Sequence, residues 1–236
     1  MMDSIIITCE HGGNRIPAPY RRLFEGQREL LDSHRGYDPG ALVMAEALAA
    51  AFGAPLVAST TSRLLVDLNR SIGHPRLFSV VTRAAPAQTR AQIVEQHYHP
   101  HRDEVEGLVA QAVSGGRRVI HISSHSFTPE LDGKVRRADV GLLYDPRRPA
   151  EADVCVRWRG ALARLDPALR VRRNYPYAGK DDGLTSHLRK RFGPGDYLGI
   201  ELEVIQSLVF AAGRRWTALR GVLTDSLHAA CAPKPT

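Results

Sequence analysis

Cysteine is scarce and unpaired. The chain has three, Cys9, Cys155 and Cys231, far apart and odd in number. That pattern argues against a disulfide framework and against a thiolate metal site, both of which show paired spacings. The three read as buried, inert thiols. Long apolar runs are missing as well. No window of 18 uncharged apolar residues occurs, so no transmembrane helix is expected. The start, Met-Met-Asp-Ser and a short apolar run, lacks the basic region and the length of a secretion signal. A cytoplasmic protein with no membrane association is expected. Lysine is almost absent, at Lys134, Lys180, Lys190 and Lys234 only. Nucleotide signatures are missing too. There is no Gly-x-Gly-x-x-Gly, and Gly179-Lys-Asp-Asp-Gly183 lacks the Lys-Ser/Thr step of a phosphate loop. The absence of a Gly-x-Ser-x-Gly elbow disfavours a serine hydrolase.

What is present fits one globular unit. The 236 residues suffice for one substantial core and are few for two, so a single domain spanning residues 1–236 is expected. The net charge of +7 would suit a polyanion-binding protein, whose affinity would fall steeply with salt. The excess is arginine, however, and neither a nucleic-acid motif nor an aromatic stacking array accompanies it. A narrower use is recognition of a small anionic substrate, with no nucleic-acid partner.

Ser4–Cys9 reads as a buried strand, and Gly40–Phe52 as a helix ended by Gly53. Pro55–Ala58 and Leu64–Leu68 read as short strands. Ala87–Val113 carries a helical pattern that Pro100 interrupts. Further strands are read at Arg118–Ser123, Ala138–Tyr144, Leu169–Arg172 and Tyr197–Val204. Helices are read at Glu151–Arg164, Leu184–Phe192 and Arg214–Ala230. Strands alternating with helices, several apolar on both faces, indicate an α/β fold. Its centre is a mixed, largely parallel sheet flanked by helices. Ligand sites in such sheets lie beyond the carboxyl ends of the strands.

The chemically interesting residues fall at those ends. His11 follows the first strand and precedes Gly12-Gly13, which allow a tight turn. In Ser62-Arg-Leu-Leu-Val-Asp-Leu-Asn-Arg70, strand alternation would align Arg63, Asp67 and Asn69, so that Asp67 fixes an arginine. His125 follows the Arg118–Ser123 segment. Glu201 and Glu203 share a face of a late strand. Two imidazoles and an oxygen ligand make a catalytic zinc set, a separate glutamate serves as base, and arginines serve an oxyanion and a carboxylate. One strand-end histidine alone is ordinarily structural; the joint pattern carries the argument. His121, four residues before His125, reads as a core histidine, with a ligand or supporting role as the alternative. His97, His99 and His101 read as a solvated helix flank. Tyr175 and Tyr177 sit in a loop that would line the pocket or simply pack.

Cys9-Glu-His-Gly-Gly-Asn-Arg-Ile-Pro17, Gly36-Tyr-Asp-Pro-Gly-Ala41, Ser62-Arg…Asp67-Leu-Asn-Arg70, Ser124-His-Ser-Phe127, Asn174-Tyr-Pro-Tyr177 and Gly199-Ile-Glu-Leu-Glu-Val204, in that order, resemble the N-formylglutamate amidohydrolase family. That family is similar to zinc carboxypeptidases and aspartoacylase. The resemblance implies one zinc per chain and hydrolysis of an N-formyl or N-acyl amino acid, such as N-formyl-L-glutamate to formate and glutamate. It implies His11 and His125 as zinc ligands, Asn69 and Arg70 as the grip on a substrate carboxylate, Arg63 as the group polarising the carbonyl, and Glu201 as base, with Glu203 its rival. It keeps His101 as a substrate contact; Tyr175, from its place in the loop, is read as another. One position departs: the glutamate of His-x-x-Glu is Asn14. Asn14 through its amide oxygen, at the right spacing and pointed back towards His11 by the Gly12-Gly13 turn, is favoured as the third ligand, with Glu10, Asp38 or His121 as the alternatives. Weak metal binding, in a degenerate hydrolase that keeps only the anion grip, is the alternative. By alternation Glu10 should face away from His11.

Overall fold

The computed structural model describes residues 3–211 and 213–232. Isoleucine- and valine-rich segments favour a pleated, enclosed setting, and they form the framework. The strands are β1 (Asp3–Cys9), β2 (Leu56–Ala58) and β3 (Arg118–Phe127), a separate hairpin of β4 (Glu130–Leu131) and β5 (Lys134–Val135), then β6 (Val140–Leu143), β7 (Val171–Arg173) and β8 (Tyr197–Ile205). The main sheet has the order β2-β1-β3-β8-β6-β7. Its first four strands run parallel, and β6 pairs antiparallel to β8 and parallel to β7. This is the mixed, largely parallel sheet expected. Around it lie α1 (Arg28–Asp32), α2 (Ala41–Phe52), α3 (Val80–Arg83), α4 (Ala87–Ile93), α5 (His99–Ser114), α6 (Pro149–Leu165), α7 (Leu184–Arg191), α8 (Gln206–Phe210) and α9 (Arg214–Cys231). None of the described helices is long and apolar enough to cross a membrane.

Side chains alternate along each strand, and here the two faces differ in kind. One is apolar along most of its length, with Ser124 and Ser126 at the end of β3 donating to Ala41 O and Pro39 O. Ile7, Ile120, Ile122, Ile200 and Leu202 pack with Met44 and Leu48 of α2, Trp158 of α6 and Leu223 of α9. Each such buried side chain contributes about 1.5–3 kcal/mol. Trp158 Nε1 donates to Ser226 Oγ at 2.9 Å, so its one polar atom is met. The other face changes along its length. Ile6, Val119 and Tyr197 meet Val105 and Val109 of α5 and Leu188 of α7. Beyond them the same face becomes polar: Thr8, Ser123 and Glu201 stand side by side, and then His125 and Glu203. The apolar part anchors the strands, and the polar part is presented at their carboxyl ends.

Three segments differ from the sequence reading. Leu64–Leu68 is a run of turns, not a strand. Leu64, Leu65, Val66 and Leu68 are all buried, in a separate core with Ile16, Tyr20, Phe24, Leu77, Ile93 and Tyr98. The segment is thus enclosed on every side, without alternation. Side chains meet carbonyls at its two ends and just beyond: Thr82 Oγ1 donates to Leu64 O, Arg102 Nη1 to Leu68 O and Tyr98 OH to Arg70 O, at 3.2, 3.0 and 2.8 Å. With those groups met locally, no sheet partner is needed. The helical stretch at Pro100 is not broken either. A π turn, Val94–Tyr98, precedes α5; one extra residue in the turn accommodates the missing N–H and the bulk of the proline ring. The strand expected at Arg118–Ser123 runs on to Phe127, so His125 sits inside it.

His121 marks the change from apolar to polar. It is fully buried and bonded to Thr8 Oγ1 at 2.8 Å through Nε2 and to Tyr197 OH at 2.7 Å through Nδ1. It is a core histidine with both nitrogens satisfied. Burial lowers its pKa to about 4. The unfolded chain takes up this proton near pH 6.5 and the folded chain does not. Its contribution is therefore complete above pH 6.5 and is lost as pH falls towards 4, up to about 3 kcal/mol. The ring resonances of His121 should show no titration above pH 5 by NMR. His121→Gln should flatten the decline of unfolding free energy between pH 6.5 and 4; a ring titrating near 6.5 would contradict this account.

Candidate active site

A cavity of about 530 Å³ opens at the carboxyl ends of β3 and β8. His11, Arg63, Asn69, Arg70, His125 and Glu201 line it, together with Asp38 and Glu203. Asn14 and Tyr175 do not. The sequence candidates thus come together from five separate segments.

His11 lies just past β1. Even-numbered Ile6, Thr8 and Glu10 occupy the site face of that strand, and alternation would send His11 to the opposite side. The chain leaves the sheet instead. Gly12 N donates to Ser59 O at 2.9 Å. A Cβ on Gly13 would meet Thr60 O at 2.6 Å, a distance only glycine avoids. The turn swings the His11 imidazole across towards Asp38, whose backbone N–H donates to His11 O at 2.9 Å. Glu10, expected to face away, remains on the site face behind His125.

Asp38 is the hub. Its Oδ2 stands 3.3 Å from His11 Nδ1 and 3.0 Å from His125 Nδ1. Each imidazole is held from behind in the same way. His11 Nε2 lies 2.7 Å from Asp67 Oδ1. His125 Nε2 lies 3.1 Å from Glu10 Oε2 and 2.8 Å from Ser123 Oγ. Arg63 donates from Nη2 to Asp67 at 2.7 Å and from Nη1 to Asp38 at 3.3 Å, the pairing with Asp67 that the sequence suggested.

Burial opposes the charge on Asp38, Asp67, Arg63 and His125, and their neighbours outweigh it. His11, His125 and Arg63 hold the Asp38 carboxyl well below the ordinary carboxylate range despite burial. Arg63 and His11 do the same for Asp67. Burial would lower His125, but its bonds to Asp38 and Glu10 raise it well above 6.5. Glu203 is the contrast. Burial dominates there and raises it to about 8, with Oε2 unpartnered. Glu201 is less enclosed and accepts from Thr185 Oγ1 at 2.8 Å through Oε1.

The donor set suits a divalent cation. Nitrogen and oxygen ligands around a tetrahedral zinc, at about 2.0–2.1 Å, stand roughly 3.3 Å from one another. The two His–Asp38 separations match that spacing, and one donor atom from each of His11, Asp38 and His125 lies within 4.8 Å of the others. A carboxylate behind each imidazole is the arrangement that fixes a metal-binding tautomer.

Other candidates are placed elsewhere. Asn14 Nδ2 donates to Asp32 Oδ1 at 2.8 Å, away from the cluster; the Gly-Gly turn does not fold it back, and Asp38 brings the carboxylate from 24 residues further on. Tyr175 packs outside the cavity, accepting from Arg137 N at 3.0 Å beneath the Arg172 guanidinium; Tyr177 takes the place in the wall. His101, read as solvated or as a substrate contact, is buried and outside the lining. Asn69 Oδ1 accepts Leu184 N–H at the start of α7, at 2.6 Å. Arg70 uses Nη1 for Asp182 O at 2.5 Å and for Asn69 O. The rim adds Arg35, Arg76 and Arg83, so five arginines line the cavity. Sequence reasoning left Asp38 as one alternative among several; its signal was the Gly36-Tyr-Asp-Pro-Gly-Ala41 stretch.

A gene product of Agrobacterium tumefaciens with a crystal structure is similar to this chain at 31% identity and a TM-score of 0.83, covering 96% of this chain and 90% of its own. N-formylglutamate amidohydrolase from Ralstonia eutropha JMP134 shares the fold at a TM-score of 0.66 and 18% identity, over 96% and 92% of the two chains. No protein of curated function matches the sequence. The sequence pattern of the N-formylglutamate amidohydrolase family matches residues 3–210, and the chain belongs to that family.

Proposed function

We propose that this protein hydrolyses the amide bond of an N-formyl or N-acyl amino acid with the help of a divalent metal ion, N-formyl-L-glutamate being the substrate that the family suggests. The observation that carries the reading is the convergence of His11 Nδ1, His125 Nδ1 and Asp38 Oδ2 at the end of an arginine-lined cavity. A zinc ion held by these three residues would supply Lewis acidity towards a carbonyl oxygen and a water. Asp67 and Glu10 keep the two rings turned towards it. Asp38 in this role supplies the carboxylate missing at Asn14, which removes the motive for a degenerate hydrolase.

The remaining groups divide the work. Glu201 has one oxygen fixed by Thr185 and the other free. It takes a proton from the attacking water and passes it to the leaving amine. Arg63 commits two of its five N–H donors to Asp67 and Asp38; the others face the developing oxyanion. Asn69 Nδ2 and Arg70 grip the α-carboxylate. Arg70 is preset for this, since its described bonds use Nη1 alone. Arg35, Arg76 and Arg83 at the rim favour an anionic substrate.

Elemental mass spectrometry of purified protein should find about one zinc per chain, lost in His11→Ala, Asp38→Ala and His125→Ala and retained in Asn14→Ala. No bound metal, with no hydrolysis restored by zinc, manganese or cobalt, would sink the reading. With metal retained, Glu201→Gln should lower kcat by about 10²–10⁴, more than Glu203→Gln does; the reverse order would make Glu203 the base. Arg70→Ala should raise KM for N-formylglutamate by about 10–100-fold, as a lost charged hydrogen bond predicts. An unchanged KM would remove it from the carboxylate site.

A further inference from the structure

Behind His125 stands a carboxylate that the steps above use only as a support. Glu10 is fully buried. Its Oε2 accepts from Ser123 Oγ at 2.6 Å and faces His125 Nε2 at 3.1 Å. Its Oε1 makes no hydrogen bond and lies 3.8 Å from His101 Nε2, which is itself buried and without a hydrogen-bond partner. Buried polar atoms are nearly always satisfied. Two complementary ones left facing each other, from the end of β1 and from α5, mark a paired function that packing alone does not require.

A parallel lies on the other side of Asp38. There Arg63 stands behind Asp67, and Asp67 behind His11. Here His101 stands behind Glu10, and Glu10 behind His125. We propose that His101 is a positioning residue for this second arm. From α5 it holds Glu10 with Oε2 directed at His125, so that His125 commits Nε2–H to Glu10 and turns Nδ1 towards Asp38 and the metal position. The low proton affinity of Glu10, held against burial by His101 and His125, agrees with this. The consequence for metal binding rests on the function proposed above; the geometric role does not.

The test separates the two. In metal-free protein, the Nε2–H proton of His125 should give a downfield NMR signal from its bond to Glu10. His101→Ala should move that signal, as Glu10→Gln does, and the double variant should move it no further than Glu10→Gln alone. His101→Gln, whose amide N–H keeps a donor facing Glu10 Oε1, should restore it and also serves should His101→Ala fail to fold. In zinc titrations His101→Ala should weaken binding about 10-fold and Glu10→Gln about 10–100-fold, the range for partners behind a metal ligand. The two losses should not multiply. A signal unmoved by His101→Ala, or fully multiplicative losses, overturns the proposal. A wild-type protein that shows the His125 signal and its response but binds no zinc overturns the metal-dependent function instead and leaves the positioning role standing.

Discussion

One guanidinium shared between two buried carboxylates governs the site. Asp38 and Asp67 are both nearly inaccessible to water, and an unpaired buried charge is strongly destabilising. Arg63 reaches both, and His11 bridges them through its two ring nitrogens. The four groups come from three places: the turn after β1, the loop before α2 and the run of turns around Leu64–Leu68. The run of turns is also fixed by its own buried core, and the turn after β1 and the loop before α2 meet it through these charges. The close approach of Gly13 to Thr60 and the bond from Asp38 N to His11 O fix the distances at which this sharing works.

The sheet contributes a gradient. Along one face of β1, β3 and β8 the side chains pass from Ile6, Val119 and Tyr197 to Glu10, His125 and Glu203. The apolar end is buried by α5 and α7, so the strands cannot shift in register without exposing it. The polar end is thereby held to the same register. Both of its last residues are pushed towards keeping a proton, His125 by its carboxylate neighbours against burial and Glu203 by burial.

Much of this was legible in the sequence, and the reasons are specific. The strand-helix order followed from runs of β-branched residues and from breakers such as Gly53 and Gly115-Gly116. His11, His125, Arg63, Asn69, Arg70 and Glu201 were identifiable because each sits in a short motif at a strand end or turn, and all of them reach one cavity. Asp38 was harder, because its partnership with His11 and His125 is made in space across 27 and 87 residues. Leu64–Leu68 misled because a continuous apolar run reads alike in a strand and in a fully enclosed loop. Glu10 misled because alternation was counted from His11, the residue that departs from the strand, when Glu10 is the one that keeps to it.

The chain has separate interiors for separate duties. The floor with its imidazoles rests on the sheet core, while Arg63, Asn69 and Arg70 ride on turns packed into a smaller core with Tyr20, Phe24, Leu77 and Tyr98. Changes of volume in that smaller core would act first on Asn69 and Arg70, since Arg63 and Asp67 are also tied to Asp38 and His11. A division of this kind lets the arginine-lined wall be reshaped through its own core while the packing that fixes the strands is kept, and a fold built so can change what it recognises without changing its frame.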